Sequence, residues 1–204
     1  MESPSCLTDI SVPFVADASA VINLSATGRA ERIVRALPNR LLVVETVSEE
    51  LKSAPTRNQN SFDALRELVR ASLVSIPSLE DKCMATFESL VIGPAAETLD
   101  DGEAATIAYA NSYGYAAIID ERKATRICAE RFPSLLIASS VDLLGHRSVM
   151  TSLSRDELGD AFFDALRTAR MSIKPNHLEW VVKLIGQSRA TQCPSLPAAI
   201  RSRQ

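Results

Sequence analysis

The sequence predicts an α/β fold in which a central parallel sheet is covered by helices on both faces and is followed by further helices. Strand-length apolar segments alternate with segments of helical periodicity along the first 138 residues. The strand segments are apolar at successive positions, so both of their faces are expected to be buried. From residue 154 onward only helical patterns occur. This alternation indicates one domain with a parallel sheet between two helical layers and a helical C-terminal appendage.

The predicted elements follow one another in a simple order. Five strands are predicted, at residues 13–16, 41–44, 73–76, 116–119 and 134–138. Helices are predicted at residues 20–37 with an interruption near Gly28, 46–54, 62–71, 81–92, 102–111, 122–131, 156–168 and 176–186. Residues 188–204 contain two prolines and scattered serines and arginines, which predicts a flexible tail.

The composition argues against several classes of protein. The chain has 204 residues, 46% hydrophobic and 23% charged, which suits one well-packed domain. Its apolar runs are too short to span a membrane, and the first ten residues hold no basic cluster, so no secretory leader is expected. The four scattered cysteines predict reduced thiols in the cytoplasm. The two histidines, His146 and His177, are too few and too far apart for a zinc site or a triad, and we expect them to be structural or exposed.

Two of the predicted strands end in an aspartate. Asp17 follows residues 13–16, and Asp120 follows residues 116–119. If these strands are parallel neighbours, both carboxylates lie at the carboxyl edge of the sheet, where the ligands of open α/β sheets bind. Helices expected to begin at the same edge carry Glu50 and Glu103 in their first turns. Four acids from distant segments are therefore expected to share one cleft.

The clustering of these acids suggests a reaction class. Neighbouring carboxylates repel one another, and a divalent cation is their natural counter-charge. Mg²⁺ binds to a few carboxylates and keeps several of its waters. It makes bound water easier to deprotonate and stabilises charge on a phosphate under attack. The cluster therefore suggests metal-assisted hydrolysis of a phosphodiester.

Each acid taken alone also has a structural interpretation. Asp17 and Asp120 can cap the helices that follow them. Asp100 and Glu103 fit a capping box, which would give Glu103 a purely local role. The joint pattern of four acids favours the functional interpretation over these separate ones.

The helix predicted at residues 46–54 carries two adjacent glutamates. Glu49 is assigned to a second capping box, with Thr46 as its N-cap. Glu50 precedes Leu51 and lies three residues after Val47, so it leans on the apolar stripe of the helix, where a solvated acid is not expected. Glu50 is therefore the candidate site residue of the two.

Side chains next to the acids have two interpretations as well. Ser19 is either a helix N-cap or a hydroxyl that orients Asp17 or a metal-bound water, with equal weight. Glu121 is either a supplementary acid or an exposed first-turn residue, and exposure is favoured. Arg122, Lys123 and Arg126 either neutralise substrate phosphates or are solvated helix charges. The net charge of −3 does not point to nucleic acid, but local basic groups can bind phosphate beside an acidic cleft.

Four motifs, in this order, resemble those of PIN-domain proteins, and the chain is similar to the VapC-type toxins of bacterial toxin–antitoxin pairs. The matching segments are residues 15–24 (VADASAVINL), 47–51 (VSEEL), 99–105 (LDDGEAA) and 118–121 (IIDE), with Arg126 following. The resemblance extends from about residue 15 to residue 138. Residues 171–173 and 178–182 also resemble the closing helix of one PIN subfamily.

The resemblance implies a Rossmann-like three-layer α/β/α sandwich and an endoribonuclease that depends on Mg²⁺ or Mn²⁺. The acidic quartet of the family corresponds by position to Asp17, Glu50, Glu103 and Asp120. Asp17 and Glu103 would be primary metal ligands, and Asp120 would be a ligand or a water-positioning group. Glu50 would be an outer acid that holds water or a second ion.

The chain departs from the subfamily pattern at two positions. The paired aspartates of the subfamily appear here as Asp120 and Glu121, which keeps the charge. The usual glycine before the arginine is replaced by Thr125, which leaves the role of Arg126 open. Asn23 fits the subfamily pattern.

The sequence patterns and the resemblance together imply a domain organisation and partners. A PIN-like nuclease domain is expected at residues 10–150, a C-terminal helical appendage at residues 151–187 and the tail at residues 188–204. The expected partners are an RNA substrate, an antitoxin protein and a second copy of the chain in a homodimer, with no membrane association.

Other functions remain to be weighed against this one. The main alternative is a catalytically silent PIN-like module that holds protein or RNA. A phospho-acceptor receiver domain would need a lysine at the end of a late strand, where this chain has Ser139 and Ser140. A dehalogenase-type phosphatase requires Asp-x-Asp, which the Asp17-x-Ser19 sequence lacks.

Overall fold

Five short strands form one all-parallel sheet in the computed structural model, which describes residues 5–7, 9–53 and 59–202. The strands are β1 (Phe14–Ala16), β2 (Leu41–Leu42), β3 (Val74–Ser75), β4 (Ala116–Ile118) and β5 (Ile137–Ala138), arranged in the order β3-β2-β1-β4-β5. Phe14 of β1 pairs with Leu41 on one side and with Ala116 on the other. The central strand β1 is therefore hydrogen-bonded along both of its edges.

Buried apolar side chains explain why these segments are strands. All residues of β1, β2 and β4 are buried, as expected for a parallel sheet covered on both faces. The strands are shorter than predicted, although backbone pairing continues past them. The Val43 N–H donates to the Ser75 carbonyl at 3.0 Å, and the Ile119 N–H donates to the Ala138 carbonyl at 2.9 Å.

Helices occupy the connections between the strands. Before β4 they are α1 (Ala18–Ala26), α2 (Ala30–Ala36), α3 (Glu45–Ser53), α4 (Gln59–Arg70), α5 (Asp81–Val91) and α6 (Asp101–Tyr113). After β4 they are α7 (Arg122–Arg131), α8 (Ser140–Leu144), α9 (Arg147–Ser152), α10 (Arg155–Asp164), α11 (Pro175–Ile185), α12 (Gln187–Ala190) and α13 (Ala198–Arg201), with a π-helical turn at Ala165–Ala169. The predicted fold class, an α/β/α sandwich with a central parallel sheet, is confirmed.

The strand order creates a switch point between β1 and β4. From β1 the chain continues to β2 on one side, and from β4 it continues to β5 on the other side. Ligands of open α/β sheets bind outside the carboxyl ends of the strands at such a point. The residues that follow these two ends are Asp17 after β1 and Ile119 and Asp120 after β4.

The chain divides into two compact units. A sheet unit contains Ser11–Val21 and Asn39–Ser139, and therefore all five strands and every acid of the predicted site. A helical unit contains the described residues up to Ile10, Ile22–Pro38 and those from Ser140 onward. Residues 22–38 group with the C-terminal helices in this division, and the domain boundaries at residues 150 and 187 stay predictions.

The described part of the predicted flexible tail, residues 188–202, has helical structure and buried side chains. It contains most of α12 and all of α13, and Cys193, Leu196 and Ile200 are buried. The Gln187 side-chain amide donates to the Ile200 carbonyl at 2.7 Å. Residues 203–204, and Ala54 at the end of the helix predicted at residues 46–54, lie outside the described residues.

Both histidines of the chain have structural positions, one of the two outcomes expected for them, and the cysteines differ in their exposure. His146 and His177 are both buried; the Ser148 N–H donates to His146 Nδ1 at the start of α9, and His177 Nε2 lies 3.6 Å from Asp142 Oδ1. The four cysteines are free thiols, of which only Cys6 is exposed. Among the described helices, none combines the length and the apolar character needed to cross a bilayer.

Candidate active site

The carboxylate of Asp17 is buried at the carboxyl end of the central strand. Its side chain is 1% exposed, and its backbone N–H donates to the Ile118 carbonyl at 3.2 Å, which ties this position to β4. The Ala20 N–H donates to Asp17 Oδ1 at 2.7 Å. Asp17 therefore caps α1, as its structural interpretation predicts, and this cap fixes the carboxylate at the edge of the sheet.

Ser19 is part of α1 and is not its N-cap. Its hydroxyl lies 2.9 Å from both carboxylate oxygens of Asp17, to which it donates. The interpretation of Ser19 as a hydroxyl that orients Asp17 thus agrees with the structure, and the capping interpretation is wrong.

The electrostatic environment of Asp17 disfavours its ionised form. Burial raises the pKa of Asp17 to about 8, and the negative charges of Asp120 and Glu103 add to this rise. The hydrogen bonds from Ala20 and Ser19 oppose it. Asp120 and Glu103, which come from two other segments of the chain, therefore both act on Asp17.

Glu103 lies in the first turn of α6, where some neighbouring groups raise its pKa and others lower it. Burial, followed by the charges of Glu121 and Asp100, raises the pKa of Glu103 to about 7, whereas a hydrogen bond from the Asp100 backbone and the charge of Lys123 lower it. Asp100 is the N-cap residue of α6, as predicted, but its side chain makes no capping hydrogen bond. Of the two hydrogen bonds of the predicted capping box, only the one from the Asp100 backbone N–H to the Glu103 carboxylate is present.

Asp120 and Glu121 have different structural roles. Helix α7 begins at Arg122, and its N-cap is Glu121, whose carboxylate accepts a hydrogen bond from the Ala124 N–H at 2.8 Å. The capping interpretation of Asp120 is therefore wrong. Glu121 is exposed, as favoured from the sequence, and its charge reaches Glu103.

Glu50 lies on α3, which faces the N-terminal end of α6. Glu50 is largely exposed, but its carboxylate lies against the backbone of Gly102, where a Cβ would overlap Glu50 Oε2. Burial, and then the charges of Asp100 and Asp101, raise the pKa of Glu50. Asp100 thus acts on both Glu50 and Glu103, and Glu50 lies at the outer end of the group of acids.

An open cavity of about 700 Å³ lies between α3 and α6. Its acidic lining residues are Glu49, Glu50, Asp100 and Asp101.

The predicted capping box of Thr46 and Glu49 is wrong. Because α3 begins at Glu45, Thr46 is inside the helix, and Glu49 pairs instead with Lys52 at 3.3 Å.

Two basic residues of α7, Lys123 and Arg126, interact with different groups. Arg126 pairs with Glu130 at 3.2 Å and donates to the Ala96 carbonyl at 3.0 Å. Lys123 is half-buried, and its charge lowers the pKa of Glu103. Of these two cations, Lys123 is the one that acts on the acids.

The acids fit a divalent cation by their chemistry. Carboxylate oxygens are the ligands that Mg²⁺ and Mn²⁺ prefer. The pKa values of Asp17 and Glu103 are raised first by burial and then by neighbouring acids, and a cation beside them would favour their ionised forms. Over residues 5–7, 9–53 and 59–202, however, no three His, Cys, Asp or Glu side chains stand close enough together to hold a metal ion. Binding an ion would require these carboxylates to approach one another.

Gly102 is the residue of this site that the sequence interpretation did not single out. Glycine is unfavourable within a helix, so its presence in the first turn of α6 was the available signal.

Comparison with known proteins gives one match. The DUF3368 family model, described as a PIN domain, matches residues 13–187. No curated protein and no solved structure matches the chain significantly.

Proposed function

The chain belongs to the PIN-domain family, and from this premise we propose that it is a nuclease that hydrolyses RNA phosphodiester bonds with the help of Mg²⁺ or Mn²⁺. The PIN domain is a nuclease fold whose members generally use divalent metals. The proposal for this chain rests above all on the carboxylate of Asp17, which is 1% exposed at the end of the central strand and is influenced by two further acids.

The proposed roles follow from the positions of the acids. Asp17, Glu103 and Asp120 would hold the ion once their carboxylates approach one another; the charges of Asp120 and Glu103, which already act on Asp17 at the end of the central strand, support this role. When bound, the ion would supply charge stabilisation to the phosphate under attack and make water easier to deprotonate. Asp120 or Glu50 would align the attacking water and accept its proton. Ser19 keeps the Asp17 carboxylate oriented and favours its ionised form.

The substrate would approach past the basic residues at the start of α7. Arg122 and Lys123 lie in the first turn of this helix, directly after Asp120 and Glu121. A cation next to the acids can bind a phosphate of the substrate while the acids bind the metal. Arg126, which is engaged with Glu130, would contribute less.

The decisive experiment is a cleavage assay with the full chain and single-stranded RNA, with Mg²⁺, with Mn²⁺ and with chelator. We expect cleavage that requires the divalent ion and that is lost in Asp17→Asn. Glu67→Gln, which removes a charge from an exposed residue of α4, is the matched control and should cleave like the wild type. Cleavage retained in pure Asp17→Asn would refute the proposal.

A catalytically silent binding module is the second candidate. Two observations favour it: the described acids do not form a ready metal site, and the net charge of −3 does not favour RNA. Calorimetric titration with Mn²⁺ separates the two functions. Binding that disappears in Asp17→Asn supports the nuclease, whereas the absence of binding supports the silent module.

The biological setting is proposed from the sequence resemblance. The chain would be a cytoplasmic toxin, neutralised by an antitoxin protein and acting as a homodimer. Expression of the chain alone should arrest growth, and co-expression of a small protein from the neighbouring reading frame should restore it. Growth that is unaffected by an actively cleaving chain would contradict the toxin role.

A further inference from the structure

Gly102 and Glu50 are in close contact across the space between α6 and α3. A Cβ at Gly102 would overlap Oε2 of Glu50 and would lie 3.4 Å from Cγ2 of Val47. We propose that Gly102 is a positioning residue: by lacking a side chain, it lets the Glu50 carboxylate lie against the first turn of α6. This inference rests on the proposed function, in which Glu50 is the outer acid of the site.

Backbone conformation does not explain the glycine. Among the described glycines, a positive φ occurs at residues 28, 93, 114 and 186, and Gly102 is not one of them. Its place inside α6 is one where alanine would be the better helix former. The contact that a glycine does accommodate at this position is the close approach of the Glu50 carboxylate.

The overlap between a Cβ at residue 102 and Glu50 Oε2 predicts what Gly102→Ala would change. The atom that a methyl group would meet is the far end of a flexible side chain, and the contact with Val47 is ordinary. The helices can therefore keep their places while the Glu50 carboxylate turns away. Gly102→Ala should displace one carboxylate and leave the fold intact.

The place from which Glu50 would be displaced is next to the acids of α6. Glu50 lines the open cavity together with Asp100 and Asp101, and Glu103 follows in the same helical turn. A carboxylate held there adds negative charge at the start of α6, where the charge of Asp100 acts on both Glu50 and Glu103, a proposed ligand of the ion. Its loss should weaken the binding of the ion and slow the reaction, with little effect on the affinity for RNA.

The test is a double-mutant cycle with Gly102→Ala, Glu50→Ala and the double variant. We expect Gly102→Ala to melt at or above the wild-type temperature. Its Mn²⁺ affinity, measured by calorimetry, and its kcat should fall by about tenfold, as is typical when a residue supporting metal ligands is changed, while KM for RNA stays the same. In the Glu50→Ala background, Gly102→Ala should change neither Mn²⁺ affinity nor kcat.

Two results would overturn the inference. One is Gly102→Ala with wild-type Mn²⁺ affinity and kcat. The other is a loss of the same size in the Glu50→Ala background, which would show that Gly102 does not act through Glu50. Failure of the proposed function would give a different result. In that case the wild type would neither bind Mn²⁺ nor cleave RNA, or Asp17→Asn would retain both properties.

Discussion

The hydroxyl of Ser19 lies 2.9 Å from each carboxylate oxygen of Asp17, the buried acid at the carboxyl end of β1. Because Ser19 is inside α1, its side chain points back to the residue that caps the helix. The cap, the hydroxyl and the strand end together hold one carboxylate in a fixed orientation at the switch point of the sheet. This relationship leads to a prediction about the protonation of Asp17.

Ser19→Ala should move the pH dependence of cleavage to higher pH. The hydroxyl donates to the ionised carboxylate, and losing this donor should raise the pKa of Asp17 further. We expect the acidic limb of the pH–rate profile in Mn²⁺ to shift upward by about one pH unit, which corresponds to the loss of one hydrogen bond to a charged group. Ser112→Ala, which removes a hydroxyl that donates to the Lys82 carbonyl, is the control. An unchanged profile in Ser19→Ala would count against the role of Ser19.

The stability that Asp17 and Glu103 contribute to the metal-free protein should fall as the pH rises. Asp17 and Glu103 have pKa values of about 8 and about 7 in the folded chain, against ordinary values of 3.8 and 4.5. Between these limits the folded chain binds more protons than the unfolded chain, so the free energy of unfolding decreases with increasing pH. The stability supplied by the protonated acids is fully present below about pH 4 and is lost by about pH 8.

Asp17→Asn isolates the contribution of Asp17 to this pH dependence. We expect the variant to resemble the wild type at pH 4 and to be more stable at pH 8, by several kcal/mol, in urea unfolding with chelator present. Adding Mn²⁺ at pH 8 should stabilise the wild type and not the variant, because only the wild type retains the buried ligand. Asp63→Asn, at an exposed aspartate of α4 paired with Arg66, should show the pH dependence of the wild type. Parallel curves for Asp17→Asn and the wild type would contradict this prediction.

Lys123→Ala should impair RNA cleavage more than Arg126→Ala. Lys123 acts on Glu103, whereas Arg126 is bound to Glu130 and to the Ala96 carbonyl. We expect Lys123→Ala to raise KM for RNA about fivefold at low salt, with a smaller difference at high salt because the contact is ionic. Arg126→Ala should stay within about twofold of the wild type. The opposite ranking would show that Arg126 is the phosphate-binding residue.

The architecture could be predicted from the sequence because its signals are local. Apolar runs at residues 13–16 and 116–119 are strands since both of their faces are buried, and Gly28 separates α1 from α2 where the helical pattern is interrupted. The same runs place Asp17 and Asp120 at one edge of the sheet. The short helices α8 and α9 were not predicted, because five or six residues are too few to show a helical period.

The details of the site could not be predicted from spacing, because they depend on where individual helices begin. One residue decides whether Asp120 or Glu121 caps α7, and one residue places Ser19 inside α1 rather than at its cap. The space that Gly102 leaves for Glu50 depends on the packing of α3 against α6, which brings together residues 52 positions apart. Sequence periodicity carries no information on such a contact.

Leu196→Ala should destabilise the protein, although the sequence predicts a flexible tail at this position. The prediction rests on two prolines and on the lack of periodicity in this segment. In the structure, Leu196 is 2% exposed, and Ile200, four residues later, is also buried. The segment is held by polar contacts as well, since Arg201 Nε donates to the Leu196 carbonyl at 3.1 Å and Ser195 Oγ donates to the Leu166 carbonyl at 3.3 Å. Removing a buried leucine side chain leaves a cavity, so we expect a loss of about 2–4 kcal/mol in urea unfolding. Gln192→Ala, at an exposed position of the same segment, should change stability by less than about 0.5 kcal/mol. Equal stability of the two variants would mean that the segment does not contribute to the core of the helical unit.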